Sequence, residues 1–204
     1  MTATQRIAHL RIELDESEPT IWRRVEVPLS LSLKGLHDVI QAVMGWESYH
    51  LHEFKVGDKR YGVPDPEWDD APRILSAKST KLASLIECGV RKFGYVYDFG
   101  DDWRHTIRVE AVADADPGTE YPRFAEGERR GPPEDVGGID GYYEFLEGMA
   151  KPRHQEHQRL LEWYGGPYDP DDIDLPMIAS HIGQLARRRT LGRAAYEKSR
   201  GRGR

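Results

Sequence analysis

Residues 95–110, YVYDFGDDWRHTIRVE, predict a β-hairpin from which the fold class can be inferred. Its two arms, 92–99 and 103–112, are rich in the aromatic and β-branched residues that favour strands. Gly100-Asp101-Asp102 separates the arms, and Gly and Asp are typical of tight turns. Because strands joined by so short a link pair antiparallel, we expect an antiparallel sheet.

The N-terminal half also contains strands joined by short links. Residues 5–14 alternate apolar and polar side chains, and 21–27 form a second predicted strand. Apolar residues then recur at helical spacing, which predicts an amphipathic helix over 33–45 with Ser32 as its N-cap. Residues 49–62 predict another hairpin.

The second half of the chain is predicted to be mainly helical. Four Pro and five Gly among residues 114–139 predict irregular structure there, and 64–73 predicts a loop. The resulting order, ββα–ββ–α–ββ–ααα, predicts an α+β fold: a mainly antiparallel sheet (an α/β roll) with helices on one face and a C-terminal helical segment. The remaining predicted helices are 80–87, 142–149, 157–164 and 175–187.

The charge of the chain is unevenly distributed. The formal net charge is −6, but residues 187–204 hold seven Arg and one Lys against one Glu, which leaves −13 for residues 1–186. We therefore predict one domain over 1–186 and a basic tail over 187–204. The tail is either a disordered, solubilising end or a contact for nucleic-acid phosphates. The arginines assigned to that contact are Arg187, Arg188, Arg189 and Arg193.

Cysteine content and hydropathy predict a cytoplasmic protein with no membrane partner. The single cysteine, Cys88, excludes an internal disulfide, which fits a reducing compartment. No apolar run approaches the roughly 20 residues that a membrane-spanning helix needs.

Four long blocks of the sequence resemble a known family. The chain is similar to the plasmid pRi ORF-three-like family, also known as the TnpR-type passenger protein of insertion elements, over about residues 5–180. The blocks are PTIWRRVEVP at 19–28, LHDVIQAVMGWESYHLHEF at 36–54, YVYDFGDDWRHTI at 95–107 and GPPEDVGGIDGYYEFLEGMAKPRHQEHQRLLEW at 131–163. The resemblance implies an α+β roll and a link to plasmids and transposable elements.

The sequence departs from the family pattern at two positions and lacks the motifs of a recombinase. Family members often have Cys at both ends of a CPPEDCGG block, where this chain has Gly131 and Val136. A metal or redox role resting on that cysteine pair is therefore not expected. The name resolvase accompanies the family, but no serine- or tyrosine-recombinase motif accompanies the arginines of this chain.

The hairpin turn is the first candidate site. Carboxylates so close together raise one another's pKa unless a cation neutralises them, and Arg104 or a divalent metal ion could do so. The alternative is an architectural turn, rich in Asp because Asp favours turn conformations. The candidate residues are Asp98, Asp101, Asp102, Trp103, Arg104 and His105.

A second candidate site lies in His50-Leu51-His52, where residues two apart would share one face of a strand. His50 and His52 could be two metal ligands completed by a carboxylate from the hairpin turn. The alternative is a pair of half-buried imidazoles that hydrogen-bond backbone or acids.

The Pro- and Gly-rich loop at 132–138 is the third candidate. It either presents Glu134 and Asp135 to a ligand or closes the sheet onto the helices.

These features leave three functions open. The preferred one is an accessory or interaction protein of mobile elements, with nucleic acid or a mobile-element protein as partner. The second is a metal-dependent hydrolase that uses the His/Asp cluster on a phosphate or amide, and the third is a small-molecule binding domain. No cofactor is required by the sequence, and a divalent metal is the one that the pattern allows.

Overall fold

The structure, a computed structural model, describes residues 5–64 and 74–201, so most of the predicted 64–73 loop lies outside the described residues. The elements along the chain are β1 (Arg6–Leu14), β2 (Trp22–Pro28), α1 (Leu33–Met44), β3 (His52–Val56), β4 (Lys59–Gly62), β5 (Ile74–Ser76), α2 (Leu82–Glu87), β6 (Lys92–Tyr97), β7 (Trp103–Asp114), β8 (Arg123–Glu128), α3 (Gly138–Ala150), α4 (His157–Tyr164) and α5 (Leu175–Gly201).

The strands of the described chain form one sheet in the order β5-β4-β3-β6-β7-β1-β2-β8. Every neighbouring pair is antiparallel except β4 and β5, which are parallel. The predicted hairpin is β6–β7, with Tyr97 opposite Trp103 and Tyr95 opposite His105. The predicted α+β class and the mainly antiparallel sheet are confirmed.

Helix α1 supplies much of the apolar layer that covers the sheet. Its start is fixed by Ser32, whose hydroxyl accepts a hydrogen bond from the backbone N–H of Gly35 at 3.1 Å. Its end is fixed by Gly45, which has a φ of 85° that glycine adopts without steric cost. The side chains of Leu33, Leu36, Val39, Ile40 and Val43 are buried in one cluster with the inward-facing residues of the strands. Both predicted ends of this helix are confirmed to within one residue.

Two strands were not predicted. The segment expected to be irregular contains β8, which pairs with β2 along the edge of the sheet. Its residues are mostly exposed and therefore lack apolar alternation. Its position is fixed instead by the free edge of β2 and by Arg123, which donates two 2.9 Å hydrogen bonds to Glu26. The short strand β5 is the other unpredicted element.

The last helix extends farther than the sequence predicted. The 175–187 helix continues to Gly201, so the basic segment expected as a disordered tail is helical as far as that residue. Helix α5 packs against α1 and β8 and buries Ile178, Ile182 and Ala186. No helix in the described ranges combines the length and apolar character needed to cross a bilayer.

Candidate functional site

Three separate loops meet where β3 begins and β6 ends. In the antiparallel pairing of these strands, His52 lies opposite Tyr97. The backbone N–H of Asp98 donates to the carbonyl of Leu51 at 2.9 Å, which extends the contact beyond the strands. His50, just before β3, is therefore close to Asp98, just after β6.

The third loop, residues 131–138, is held against the other two by close backbone contacts. A Cβ atom on Gly131 would lie 2.2 Å from the carbonyl oxygen of Met44 at the end of α1. One on Gly138, which has a φ of +70°, would lie 2.6 Å from the carbonyl oxygen of Asp101. The indole N–H of Trp46 donates to the carbonyl of Pro132 at 2.8 Å. Glycine at both ends thus allows this loop, which we call the site loop, to lie between α1 and the β6–β7 turn.

The site loop brings Asp135 to His50 and Asp98. The Nε2 atom of His50 lies 3.0 Å from Oδ1 of Asp135 and 3.5 Å from Oδ2 of Asp98. One ligand atom from each residue lies within 4.8 Å of the other two. Although the Nε2 atom is buried and close to both carboxylates, it makes no hydrogen bond of acceptable geometry in the described chain. We call these three residues the His50 cluster.

The backbone around the His50 cluster adopts an uncommon conformation. Asp98 and Asp135 have φ values of 54° and 57°, and the neighbouring Ser48 and Asp102 have values of 63° and 55°. Left-handed φ is uncommon for residues other than glycine, although Asp tolerates it better than most, and such residues concentrate at functional sites. One carboxylate oxygen of Asp98 accepts the N–H of Gly100 at 2.9 Å, while the other faces His50.

Glu134, next to Asp135, lies behind the cluster. Its carboxylate accepts the backbone N–H of Glu47 at 2.8 Å and the hydroxyl of Tyr97 at 2.9 Å. Burial raises the pKa of Glu134, an effect that these two hydrogen bonds partly offset. Burial also raises the pKa of Tyr97, and the Glu134 hydrogen bond adds to the increase.

The histidine pair proposed from the sequence does not form. The chain enters β3 only at His52, so the period-two rule of a strand does not extend back to His50. The ring of His52 is buried and stacks on His37 with 3.6 Å between the ring centroids. Burial lowers the pKa of His52 to about 4. Only His50 of the pair reaches the carboxylates.

The hairpin residues also separate instead of forming one site. Alternation along β7 buries Trp103 and His105 in the core and leaves Arg104 in solvent. Arg104 pairs with Asp102 at 2.6 Å, and this hydrogen bond raises the pKa of Arg104. Asp101 instead accepts the N–H of Gly137 at 3.2 Å, which holds the site loop.

A buried polar network behind the site was not identified from the sequence. The Nδ1 atom of His37 lies 2.8 Å from the hydroxyl of Tyr95, and its Nε2 lies 2.6 Å from that of Ser48. Gln41 donates to the same Tyr95 hydroxyl and accepts the N–H of Ser48 at 2.9 Å. The network therefore fixes the segment that carries His50. The available signal was the polar pair His37 and Gln41, four residues apart on the otherwise apolar face of α1.

The basic residues of α5 form no part of this site. Arg187 and Arg188 are exposed, whereas Arg189 donates to the hydroxyl of Ser30 at 2.5 Å. The side chain of Arg193 lies outside what the structure describes.

An imidazole and two carboxylates from three loops are a ligand set that suits Zn²⁺, Mn²⁺ or Fe²⁺. The side chain of Asp135 is 66% exposed and that of His50 is 30% exposed, so the cluster opens to solvent on one side. An ion held here would keep coordination positions for water or a ligand.

The chain belongs to the family described as Plasmid pRiA4b ORF-3-like protein, whose model matches residues 6–177. It is 41% identical over 181 residues to "Uncharacterized protein y4hQ" of Sinorhizobium fredii, covering 88% of this chain and 92% of that protein. The fold is similar to the crystal structure of "Protein of Unknown Function MM3350" from Methanosarcina mazei Go1. The TM-score is 0.78 at 35% identity, with 87% of this chain and 98% of that chain covered.

Proposed function

We propose that the protein binds a divalent metal ion through His50, Asp98 and Asp135. The observation that carries this proposal is the buried Nε2 atom of His50, which faces oxygens of two carboxylates from two other loops without hydrogen-bonding either. A metal ion placed among these atoms would occupy the lone pair of the nitrogen and neutralise two like charges.

The competing explanation is a simple ion pair between protonated His50 and the two aspartates. Both nitrogen–oxygen distances, 3.0 Å to Asp135 and 3.5 Å to Asp98, lie within ion-pair range, but neither contact has hydrogen-bond geometry. A metal ion needs ligand atoms close enough to share it, and one atom from each of the three residues lies within 4.8 Å of the other two.

The reaction class that such a site would serve is metal-assisted hydrolysis of a phosphate or amide. The ion would polarise a substrate oxygen or lower the pKa of a bound water molecule. Glu134, with its raised pKa and its hydrogen bond from Tyr97, is the group we assign to proton transfer beside the metal.

Metal analysis of untagged protein tests the metal proposal. After equilibration with Zn²⁺ or Mn²⁺ and gel filtration, we expect about one ion per chain in the parent protein and less than about a tenth of that in a His50→Ala variant. The matched control is His181→Ala, because that ring is exposed on α5. Equal metal content in the parent and the His50→Ala variant would refute the proposal, as would the absence of metal from both.

Circular dichroism of each variant distinguishes loss of a ligand from loss of the fold. An Asp98→Asn variant adds a second readout, because it retains the shape of the side chain and removes its charge.

We also propose a second role, that of a mobile-element accessory protein that contacts nucleic acid through α5. Three observations support it: the formal net charge of +7 on residues 187–204, the helical continuation of this segment to Gly201, and the family to which the chain belongs. Arg187 and Arg188 are exposed on this helix and available to phosphates.

Binding of labelled duplex DNA over a salt series tests this second role. Replacing Arg187 and Arg188 together by Gln should reduce the slope of log affinity against log salt by about two. An Arg153→Gln substitution, which removes an exposed charge in the α3–α4 segment, should leave the slope unchanged. Equal slopes for all three proteins would contradict a contact through α5.

A further inference from the structure

A cavity of about 370 Å³ lies between α3 and α4, beside the His50 cluster. Its volume lies in the range of small-molecule sites, which runs from roughly 300 to 1,000 Å³. Asp135 and Val136 of the site loop form one end of the cavity. Trp103, a candidate site residue in the sequence, is instead packed in the core.

The wall of this cavity is aromatic. Phe145 of α3 is buried, and Trp163 of α4 packs edge-on against it with 5.8 Å between the ring centroids. Trp163 remains 46% exposed, so part of a large apolar ring is accessible to a ligand. Leu160 adds aliphatic surface to the same wall.

The polar residues lining the cavity are mainly acidic. They include four carboxylates against the single guanidinium of Arg159, which already pairs with Glu156. Glu147 pairs with Lys151 at 2.6 Å. Glu144 is exposed and, unlike the other lining carboxylates, makes no ion pair with any residue in the described part of the chain.

We propose that this cavity binds a small organic cation, a ligand with an ammonium group on an apolar body. An aromatic ring next to a carboxylate without an ion-pair partner is an arrangement that recognises such cations, because the ring quadrupole and the carboxylate attract the same positive charge. The apolar part of the ligand packs on Leu160, and the ammonium group lies between Trp163 and Glu144. An anion of the same shape is excluded by charge.

Three small molecules that share a phenyl ring but differ in charge test the charge requirement. Isothermal titration of the full chain, in EDTA so that metal plays no part, compares phenethylammonium, phenethyl alcohol and phenylacetate. We expect phenethylammonium to bind at least about tenfold more tightly than the alcohol, and phenylacetate to bind most weakly. Equal affinity for the three probes, or no measurable binding of phenethylammonium, overturns the proposal.

Two substitutions test the assigned groups. Glu144→Gln should weaken phenethylammonium binding by about three- to tenfold, and Trp163→Leu, which keeps an apolar side chain but removes the ring, should weaken it by a similar factor. Glu87→Gln removes an exposed carboxylate at the end of α2 and should not change the affinity. Unchanged affinity in the Glu144→Gln variant overturns the assignment.

Asp135 belongs both to this cavity and to the His50 cluster, so a metal ion there would reduce the negative charge seen by the amine. This coupling alone rests on the metal proposal: with Zn²⁺ present, phenethylammonium should bind several-fold more weakly than in EDTA. Failure of the metal proposal removes the coupling and leaves the amine site in EDTA intact. Absence of binding in EDTA refutes the amine site whatever the metal analysis gives.

Discussion

The buried histidines of the core should make the free energy of unfolding fall steeply in mild acid. Substitution of His105 allows the contribution of a single histidine to be measured. Its ring is 1% exposed, and burial lowers the pKa of His105 to about 3. In the unfolded chain an imidazole has a pKa of about 6.5. Between these two pKa values the unfolded state binds more protons than the folded state, so stability rises with pH and is lost as the pH falls below about 6.5.

The size of this effect follows from the two pKa values. From about pH 7.5 to about pH 5, protonation of one such histidine in the unfolded state lowers the free energy of unfolding by about 2 kcal/mol. His37, whose pKa is lowered by burial to about 2, contributes a similar amount. A His105→Leu variant should therefore lose about 2 kcal/mol less than the parent over this pH interval, whatever its stability at neutral pH.

Urea unfolding of both proteins at the two pH values measures this difference. A His181→Leu variant, altered at an exposed ring, is the matched control and should show the parental pH dependence. A difference between the parent and His105→Leu below about 0.5 kcal/mol, the scatter of neutral surface substitutions, would show that the reasoning from burial is wrong.

Three substitutions test how the site loop and α1 are held, each by urea unfolding. Gly138 has a φ of +70°, and a Cβ there would lie only 2.6 Å from a carbonyl oxygen of the β6–β7 turn. Gly138→Ala should therefore lower the free energy of unfolding by more than about 2 kcal/mol. The matched control is Gly118→Ala, at a glycine with a similar φ and open space around it, which should lower the free energy of unfolding by only about 1 kcal/mol. Equal losses for the two variants would exclude the steric contact at Gly138 as the cause. Trp46→Phe removes the indole hydrogen bond to the site loop and should lower the free energy of unfolding by about 1 kcal/mol or more. An unchanged free energy of unfolding would mean that this hydrogen bond does not hold the loop. Ser32→Ala should lower the free energy of unfolding by about 1 kcal/mol because the Ser32 hydroxyl caps α1. Its control is Lys81→Ala, at an N-cap whose side chain makes no capping hydrogen bond, and this variant should lose less.

Helix α1 and the β6–β7 hairpin could be predicted because their signals are local. A capping serine, apolar residues at helical spacing and a terminal glycine lie within 14 residues of one another. The period-two pattern likewise predicts a strand over 103–112, although the candidate site expected at the hairpin turn groups Arg104 with His105. That grouping is wrong because neighbouring residues of a strand face opposite sides.

The candidate site was only partly predictable. His50, Asp98 and Asp135 were each candidates in the sequence, but His50 was paired with His52, which stacks on His37 in the core. No periodicity relates three residues on three loops, because their proximity depends on the pairing of β3 with β6 and on the close approach of the site loop to α1. The domain limits 1–186, the cytoplasmic location and the link to mobile elements stay predictions.

Secondary structure can be predicted from the sequence where its forces act between near neighbours: capping, helical periodicity, strand alternation and turn chemistry. The sequence also determined the acidic body and the basic C-terminal segment. Which charged side chains meet depends instead on how remote segments pack. Two glycines without side chains admit the site loop between α1 and the hairpin turn, and the edge of β2 gives β8 its hydrogen-bonding partner. The interaction between a carboxylate and an imidazole depends on their distance in space, and the packing of remote segments sets that distance.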